Sequence, residues 1–216
     1  MNEPVRRISF SGFARLKLFW ALSRTPHGLL DMCTPVFAAL LWLGGFPALP
    51  VVVIGLITAF AGYTAVYALN DVVDYQVDRE KAATGLLAAA GGDIDGVIVR
   101  HPMAHGLIGF GEGLAWALFW SVVALVGAFV LNPVCAAIFL GGCGLEAVYC
   151  WLWRVSPYRT LVSGAVKTSG AMAAVFAGLA TAAFDAMGRR ALNPRSGIYF
   201  VRDAQAQAVR KVAIQP

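Results

Sequence analysis

Long apolar runs constrain the fold of this chain more than any other feature of its sequence. Each run is close to the roughly 20 residues that an α-helix needs to cross the hydrocarbon core of a bilayer. The runs lie at 29–46, 51–69, 114–131, 134–153 and 161–184. Charged residues make up only 13% of the chain, whereas a soluble domain carries about 25%. We therefore predict an all-α integral membrane protein, a bundle of about five transmembrane helices.

The segments on either side of this bundle differ from it in charge. Residues 1–28 mix Arg and Lys with large apolar side chains, a pattern typical of an amphipathic helix in the membrane interface. Residues 29–184 form the predicted bundle, and 185–216 a basic polar tail. The basic ends favour anionic membrane lipids as partners. Because no long basic stripe is present, we exclude nucleic acid as a partner.

The distribution of Lys and Arg predicts an orientation in the membrane. If the spans alternate, the N-terminus, the 79–111 loop and the 154–159 turn share one side, and that side carries most of the bases. Short cytoplasmic loops are enriched in Lys and Arg. We therefore expect the N-terminus and the loop to face the cytoplasm, in a bacterial inner membrane. Five spans would place the basic tail on the other side, against the same rule, so the side of the tail stays open.

The acidic stretch NDVVDYQVD at 70–78 is the most informative motif. Asp71, Asp74 and Asp78 are spaced three and four residues apart, and such residues lie on one face of a helix. Asn70, four residues before Asp74, joins them. Carboxylates at a membrane boundary are unfavourable unless they have a function. Oxygen ligands suit Mg²⁺, which proteins usually hold with one or two carboxylates and substrate phosphates. These four residues are therefore candidate Mg²⁺ ligands, with a solvated acidic helix end as the alternative.

Three segments resemble the UbiA superfamily of intramembrane prenyltransferases. NDVVDYQVD resembles its N-D-x-x-D-x-x-x-D motif, and HPMAHG at 101–106 resembles the R-P-[LI]-x-[SA]-G segment of its third helix, with His101 in place of Arg. Tyr149 and the bases at 154 and 159 resemble the tyrosine and basic turn after its fourth helix. The resemblance covers 15–180 and implies a shortened bundle like the N-terminal part of that fold. The second Asp-rich motif of the superfamily, D-x-x-x-D, does not occur in this sequence.

The resemblance also implies a reaction: Mg²⁺-dependent transfer of a polyprenyl group from its diphosphate to a lipophilic or aromatic acceptor. It assigns Asp71, Asp74 and Asp78 as catalytic residues that bind the metal together with Asn70. The candidate substrate-binding residues are Asn70, Arg100, Tyr149 and Lys167. An aromatic face at Tyr149 would attract a carbocation. Lys167 would contact diphosphate or extend its amine to the headgroups.

Two other functions remain open at this stage. The first is a catalytically inactive UbiA-like subunit within a larger membrane complex, and the second is a lipid or quinone binder. Further acids are Asp93 and Asp95 in the glycine-rich loop, and Glu146 inside the fourth run. An acid within the membrane is a functional candidate, although a structural hydrogen bond explains Glu146 equally well. The acceptor and the prenyl chain length stay open.

Overall fold

The structure is a computed structural model of the chain. It describes residues 12–85, 99–152, 156, 158–179, 183–184, 197–203 and 208–214. These residues form helices through most of the chain and short strands near its C-terminus. The helices are α1 (Gly12–Leu22), α2 (Thr25–Asp31), α3 (Cys33–Leu43), α4 (Leu49–Val73), α5 (Tyr75–Ala83), α6 (Phe110–Leu131), α7 (Pro133–Leu152) and α8 (Arg159–Leu179). The strands are β1 (Ala183–Phe184), β2 (Gly197–Asp203) and β3 (Ala208–Ile214).

Five helical stretches of the described chain are long and apolar enough to cross a membrane, which confirms the predicted all-α membrane bundle. They are Thr25–Leu43, Leu49–Val73, Phe110–Leu131, Pro133–Leu152 and Thr160–Leu179. The first begins at Thr25 rather than at 29, and it comprises α2 and α3. Pro35 accounts for the interruption between these helices, because it has no N–H to bond the carbonyl of Asp31.

Large apolar side chains on the spans and their connections are exposed to a degree that a soluble protein does not tolerate. Leu41 is 83% exposed, Trp42 72% and Phe46 79%. In a bilayer these side chains would contact lipid tails, which are as apolar as the side chains themselves. Helices also satisfy their own backbone hydrogen bonds, as the hydrocarbon region requires. The chain is therefore an integral membrane protein.

The described chain divides into two compact units. The first contains the described residues of Met1–Leu30 and Gly62–Ser121. Its apolar core consists of Leu18, Leu22, Ala68, Val72, Met103, Ile108 and Ala117. A buried hydrogen bond of 2.8 Å from Trp116 Nε1 to Ser23 Oγ ties the end of α1 to α6. This unit therefore holds the end of α4, α5 and the 99–109 loop in a fixed arrangement.

The second unit contains the described residues of Asp31–Ala61 and Val122–Pro216. Here α8 packs against both α7 and α3. Small residues allow this close approach: Gly142 of α7 lies against Ser169, and Gly178 of α8 lies against Leu43. Interfaces between membrane helices are commonly built from such small residues, because packing rather than hydrophobicity holds them together.

The C-terminal segment contains strands that the sequence analysis did not predict. The fifth apolar run was expected to continue as a helix to 184, but α8 ends at Leu179 and Ala183–Phe184 is β1. β1 pairs antiparallel with β2, with Phe184 opposite Phe200. β2 in turn pairs antiparallel with β3, from Gly197 opposite Ile214 to Asp203 opposite Ala208. β2 contains Ile, Tyr, Phe and Val, and β3 contains Val and Ile; these residues favour strands.

Candidate functional site

The membrane helix α4 ends in a bend at Asp74, where a single unbroken helix over 70–78 was expected. Asp74 has φ −85° and ψ 2°, outside helical geometry, and α5 begins at the next residue. Backbone hydrogen bonds continue across the bend, from Asp74 N to Asn70 O and from Asp78 N to Asp74 O, both 2.9 Å. The chain therefore bends here, and these two helical hydrogen bonds are kept on either side of Asp74.

The bend brings Asp71 and Asp78 together. In a straight helix, residues seven apart are separated by about 10 Å along the axis. In this structure, carboxylate oxygens of Asp71 and Asp78 lie within 4.8 Å of each other and of His101 Nδ1. Both acids are buried, at 4% and 6% exposed, whereas Asp74 is half-buried. The convergent pair is thus Asp71 with Asp78, across the bend.

His101 stands between the two buried carboxylates. Its Nδ1 lies 3.2 Å from Asp71 Oδ1 and 3.1 Å from Asp78 Oδ2. The imidazole comes from the 99–109 loop, in which Pro102 and Met103 are almost fully buried. Three backbone hydrogen bonds hold the loop: His105 N to His101 O, 3.3 Å, Gly106 N to Met103 O, 3.0 Å, and Leu107 N to Pro102 O, 2.9 Å. The loop therefore places the ring by its own packing.

Arg24 and Lys81 add two cations to this cluster. Arg24 Nη2 lies 3.3 Å from Asp71 Oδ1, and Lys81 Nζ donates a 3.1 Å hydrogen bond to Asp78 Oδ1. The Arg24 guanidinium also stacks over the Tyr67 ring, 5.9 Å from its centroid, a favourable cation–π contact. Each buried carboxylate therefore faces the imidazole and one permanent cation.

The backbone is strained at two of these positions. Among the described residues other than glycine, only Arg24 (φ 43°) and His101 (φ 52°) have positive φ, and both contact Asp71. The left-handed region costs an L-residue roughly 1–2 kcal/mol. Strain of this kind collects at functional sites, where the surrounding structure holds it in place. Its coincidence at Asp71 makes the cluster a candidate functional site.

The electrostatics of the cluster favour charged forms at neutral pH. Burial lowers the pKa of His101, but close contact with Asp71 and Asp78 outweighs it and raises that pKa to about 9. Burial raises the pKa of Asp78, yet His101 and Lys81 together bring it below its usual range. The pKa of Asp74 is raised, first by burial and then by repulsion from Asp78. These two shifts favour a protonated His101 beside an ionised Asp78 at neutral pH.

The structure places the other candidate residues on α4, in the 99–109 loop, on α7 and on α8. Asn70 is half-buried on α4, and Arg100 is half-buried beside His101. Tyr149 on α7 is half-buried and Lys167 on α8 is exposed, and both belong to the second unit. Their roles stay predictions. Of the further acids, Glu146 is half-buried on α7, whereas Asp93 and Asp95 lie outside the described residues.

Arg24, Lys81 and His101 are not among the site residues predicted from the sequence. Lys81 had a local signal, since it follows Asp78 by three residues and such residues share a helix face. His101 had a weaker signal: it stands where the third-helix segment of the family has Arg. Arg24 had none, because it lies 47 residues before Asp71 in the chain. Only the packing of α1 against α4 and α6 brings it there.

The donor atoms fit a divalent cation. Asp71 and Asp78 offer two buried, convergent carboxylate oxygens, as a hard ion such as Mg²⁺ requires. The third convergent donor is the nitrogen of His101 rather than an oxygen of Asp74. Two of the four expected ligands are thus placed together.

Fold and site together define a helical membrane protein with a buried acid–base cluster at the end of a spanning helix. In a comparison with models of protein families, residues 32–198 match the UbiA prenyltransferase family. Because this match covers most of the chain, the chain belongs to that family, as its motifs predicted. Comparisons with curated proteins and with solved structures gave no match.

Proposed function

We propose that this protein is a membrane prenyltransferase of UbiA type. It would transfer a polyprenyl group from its diphosphate to a lipophilic or aromatic acceptor within the membrane. The observation that carries the proposal is the convergence of Asp71 and Asp78, buried and surrounded by bases, at the end of the spanning helix α4. Membrane-boundary carboxylates of this kind mark substrate sites in membrane proteins. Membership of the family supports the same reaction.

The residues of the cluster have distinct proposed roles. Asp71 and Asp78 would hold the cation, Mg²⁺ in the simplest case, with Asn70 and Asp74 as further ligands. A bound dication neutralises the charge that develops on a diphosphate leaving group. Arg24 and Lys81 already pair with the same two carboxylates, so they are placed to contact diphosphate oxygens. Exclusion of water by apolar spans would protect a reactive prenyl cation.

The remaining candidate residues have proposed roles in binding the substrates. Arg100 and Lys167 would bind diphosphate, and the ring of Tyr149 would face the prenyl cation. The partners are then a polyprenyl diphosphate, a lipophilic acceptor and membrane lipids. We further propose that the N-terminus and α5 face the cytoplasm of a bacterial inner membrane, because the bases of the short segments lie on that side.

The test of the reaction compares two acids of α5. Purified protein in nanodiscs is incubated with Mg²⁺, polyprenyl diphosphates of several lengths and a panel of aromatic acceptors, and diphosphate release is measured. We expect Asp78→Asn to reduce Mg²⁺-dependent release to background, because it removes one of the two convergent carboxylates. Glu80→Gln, at an exposed acid two residues later, should retain wild-type release.

Size-exclusion chromatography and thermal melting of each variant separate loss of activity from loss of fold. Absence of diphosphate release at every chain length in the wild-type protein would contradict the proposal. Equal loss in Asp78→Asn and Glu80→Gln would also contradict it, since a general charge effect would then explain both.

One observation favours a second candidate, a catalytically inactive subunit of a larger membrane complex. Arg24, His101 and Lys81 already balance the charge of Asp71 and Asp78, so the cluster can stabilise the bend without a metal. In that case a stoichiometric partner should co-purify in mild detergent. The double variant Asp71→Asn/Asp74→Asn should retain that partner. A bound lipophile without product would instead identify a lipid or quinone binder.

A further inference from the structure

We propose that His27 is the proton acceptor of the reaction: its imidazole takes the ring proton that an aromatic acceptor loses when it is prenylated. His27 lies on α2, in the first span and three residues after Arg24. The inference rests on the proposed function, which supplies the allylic electrophile. It can nevertheless fail while that function stands, because diphosphate release and proton removal are measured separately.

The position of His27 is set by close packing of α2 on α4. Gly28 allows this approach, since a Cβ there would already lie 3.5 Å from Tyr63 Cβ and 3.7 Å from the Tyr67 ring. His27, the preceding residue, meets the Tyr67 ring edge-on, with 5.7 Å between the ring centroids and 79° between the planes. The imidazole is therefore held against α4 by ring packing.

Tyr67 connects His27 to the acidic cluster. The Arg24 guanidinium lies over the same ring, 5.9 Å from its centroid, and Arg24 also pairs with Asp71. Tyr67 precedes Asp71 by four residues, about 6 Å of helix, and α4 ends soon after, at Val73. His27 therefore lies about one helical turn deeper in the span than the carboxylate of Asp71.

This depth is where the reacting carbon of a prenyl diphosphate is expected. The diphosphate belongs with the charged side chains at the end of α4, and the apolar prenyl chain belongs with the hydrocarbon. Only one bridging oxygen separates the diphosphate from its allylic carbon, and an acceptor atom has to approach that carbon to within about 3–3.5 Å. A base one turn deeper than Asp71 is therefore beside the bond that forms.

The imidazole of His27 is not occupied by a hydrogen bond within the part of the chain that the structure describes. Its Nδ1 is buried without a hydrogen-bond partner there, while the residue as a whole is half-buried. A buried polar atom without a partner costs about 1–3 kcal/mol, and a catalytic role is one explanation for such an atom in a native structure. An ionisable side chain within a span likewise indicates a functional site.

The proton transfer completes an aromatic substitution. As the allylic carbon–oxygen bond breaks, its electron pair leaves with the diphosphate. A π electron pair of the acceptor ring forms the new carbon–carbon bond, and the attacked ring carbon still carries its hydrogen. A nitrogen of His27 takes that hydrogen as a proton, and the electron pair of the carbon–hydrogen bond restores the aromatic ring. The imidazolium then releases the proton to water. Histidine is the most frequent residue in this role.

Two variants of His27 test the proposal. Purified protein in nanodiscs is given Mg²⁺, a polyprenyl diphosphate and either para-hydroxybenzoate or naphthol, each with ring hydrogen or ring deuterium. His27→Gln and His27→Phe should retain diphosphate release but lower the prenylated product at least about a hundredfold, as loss of a general base predicts. Prenyl alcohol should appear instead, because water captures the allylic cation. Ring deuterium should slow product formation in His27→Gln and not in the wild type, because proton removal is then the slow step.

The variants also control for packing and for folding. Gln retains a polar side chain and Phe retains a ring against Tyr67, so a defect that both share does not arise from lost packing. Retained diphosphate release in the same sample shows that the protein is folded. His105→Gln, at an exposed histidine of the 99–109 loop, should form product as the wild type does.

Each failure has its own signature. Wild-type product formation in either His27 variant would overturn the inference. Equal loss of diphosphate release and of product would also overturn it, since a structural role would then explain the defect. A wild-type protein that releases diphosphate but prenylates neither ring would overturn it and leave the proposed function in place. Absence of diphosphate release from the wild type would contradict both.

Discussion

One imidazole links two carboxylates that would otherwise repel each other. Asp71 and Asp78 come together because the chain bends at Asp74, and His101 lies between them. Arg24 pairs with Asp71 and Lys81 pairs with Asp78, so each carboxylate also has a basic partner. A dication that bound at the proposed metal site would displace a proton from His101, since metal ligands must be deprotonated.

The pKa of His101 predicts how the stability of the metal-free protein depends on pH. It is about 9 in the folded chain, against about 6.5 for an unperturbed histidine. The stabilisation is therefore fully present below about pH 6.5 and is lost as pH rises through 9. Thermal melting in detergent with chelator should show a falling Tm across this window. His101→Gln should reduce that fall, and the same fall in the variant would contradict the assignment.

At the scale of elements, close contacts between helices depend on glycine in the second unit. A Cβ at Gly178 of α8 would overlap Leu43 Cδ1 of α3 and lie 3.2 Å from its Cγ. Leu43 is itself only 2% exposed, so it has little room to move. Gly164, earlier in the same helix, has nothing within 4 Å of its Cβ position. Gly178 and Gly164 therefore serve as a test position and its control in the same helix.

We expect Gly178→Ala to destabilise the protein by about 1–3 kcal/mol, the usual range for an overpacked core. Gly164→Ala should be neutral or slightly stabilising, because alanine is the better helix former by up to about 1 kcal/mol. Unfolding in mixed detergent micelles measures both. Equal stability of the two variants would show that α3 and α8 do not pack as described.

At the scale of the whole molecule, the proposed orientation predicts the side of the membrane on which particular residues lie. Phe46 precedes α4 and is 79% exposed, and Glu80 follows α4 in α5 and is exposed. The two residues thus mark opposite ends of one spanning helix. The proposed orientation places Glu80 in the cytoplasm.

Cysteine labelling tests that orientation. In a chain without its four native cysteines, Phe46→Cys should react with an impermeant maleimide from outside intact spheroplasts. Glu80→Cys should react only in inverted vesicles. The reverse pattern would contradict the orientation drawn from Lys and Arg. Labelling of both from one side would contradict the crossing of α4.

The sequence by itself determined that the chain enters a membrane, how many of its segments are long and apolar enough to cross it, and where its acidic motif stands. These properties follow from local composition and spacing, because a span needs only length and apolarity. Family membership followed from the same motif.

The tertiary structure alone decided which groups the acids meet. Arg24 reaches Asp71 across 47 residues of sequence, and His101 reaches both acids from a separate loop. Because the chain bends at Asp74, the carboxylates of Asp71 and Asp78 are the two that come together. No local spacing encodes these contacts, because they depend on how α1, α4 and the 99–109 loop pack against one another.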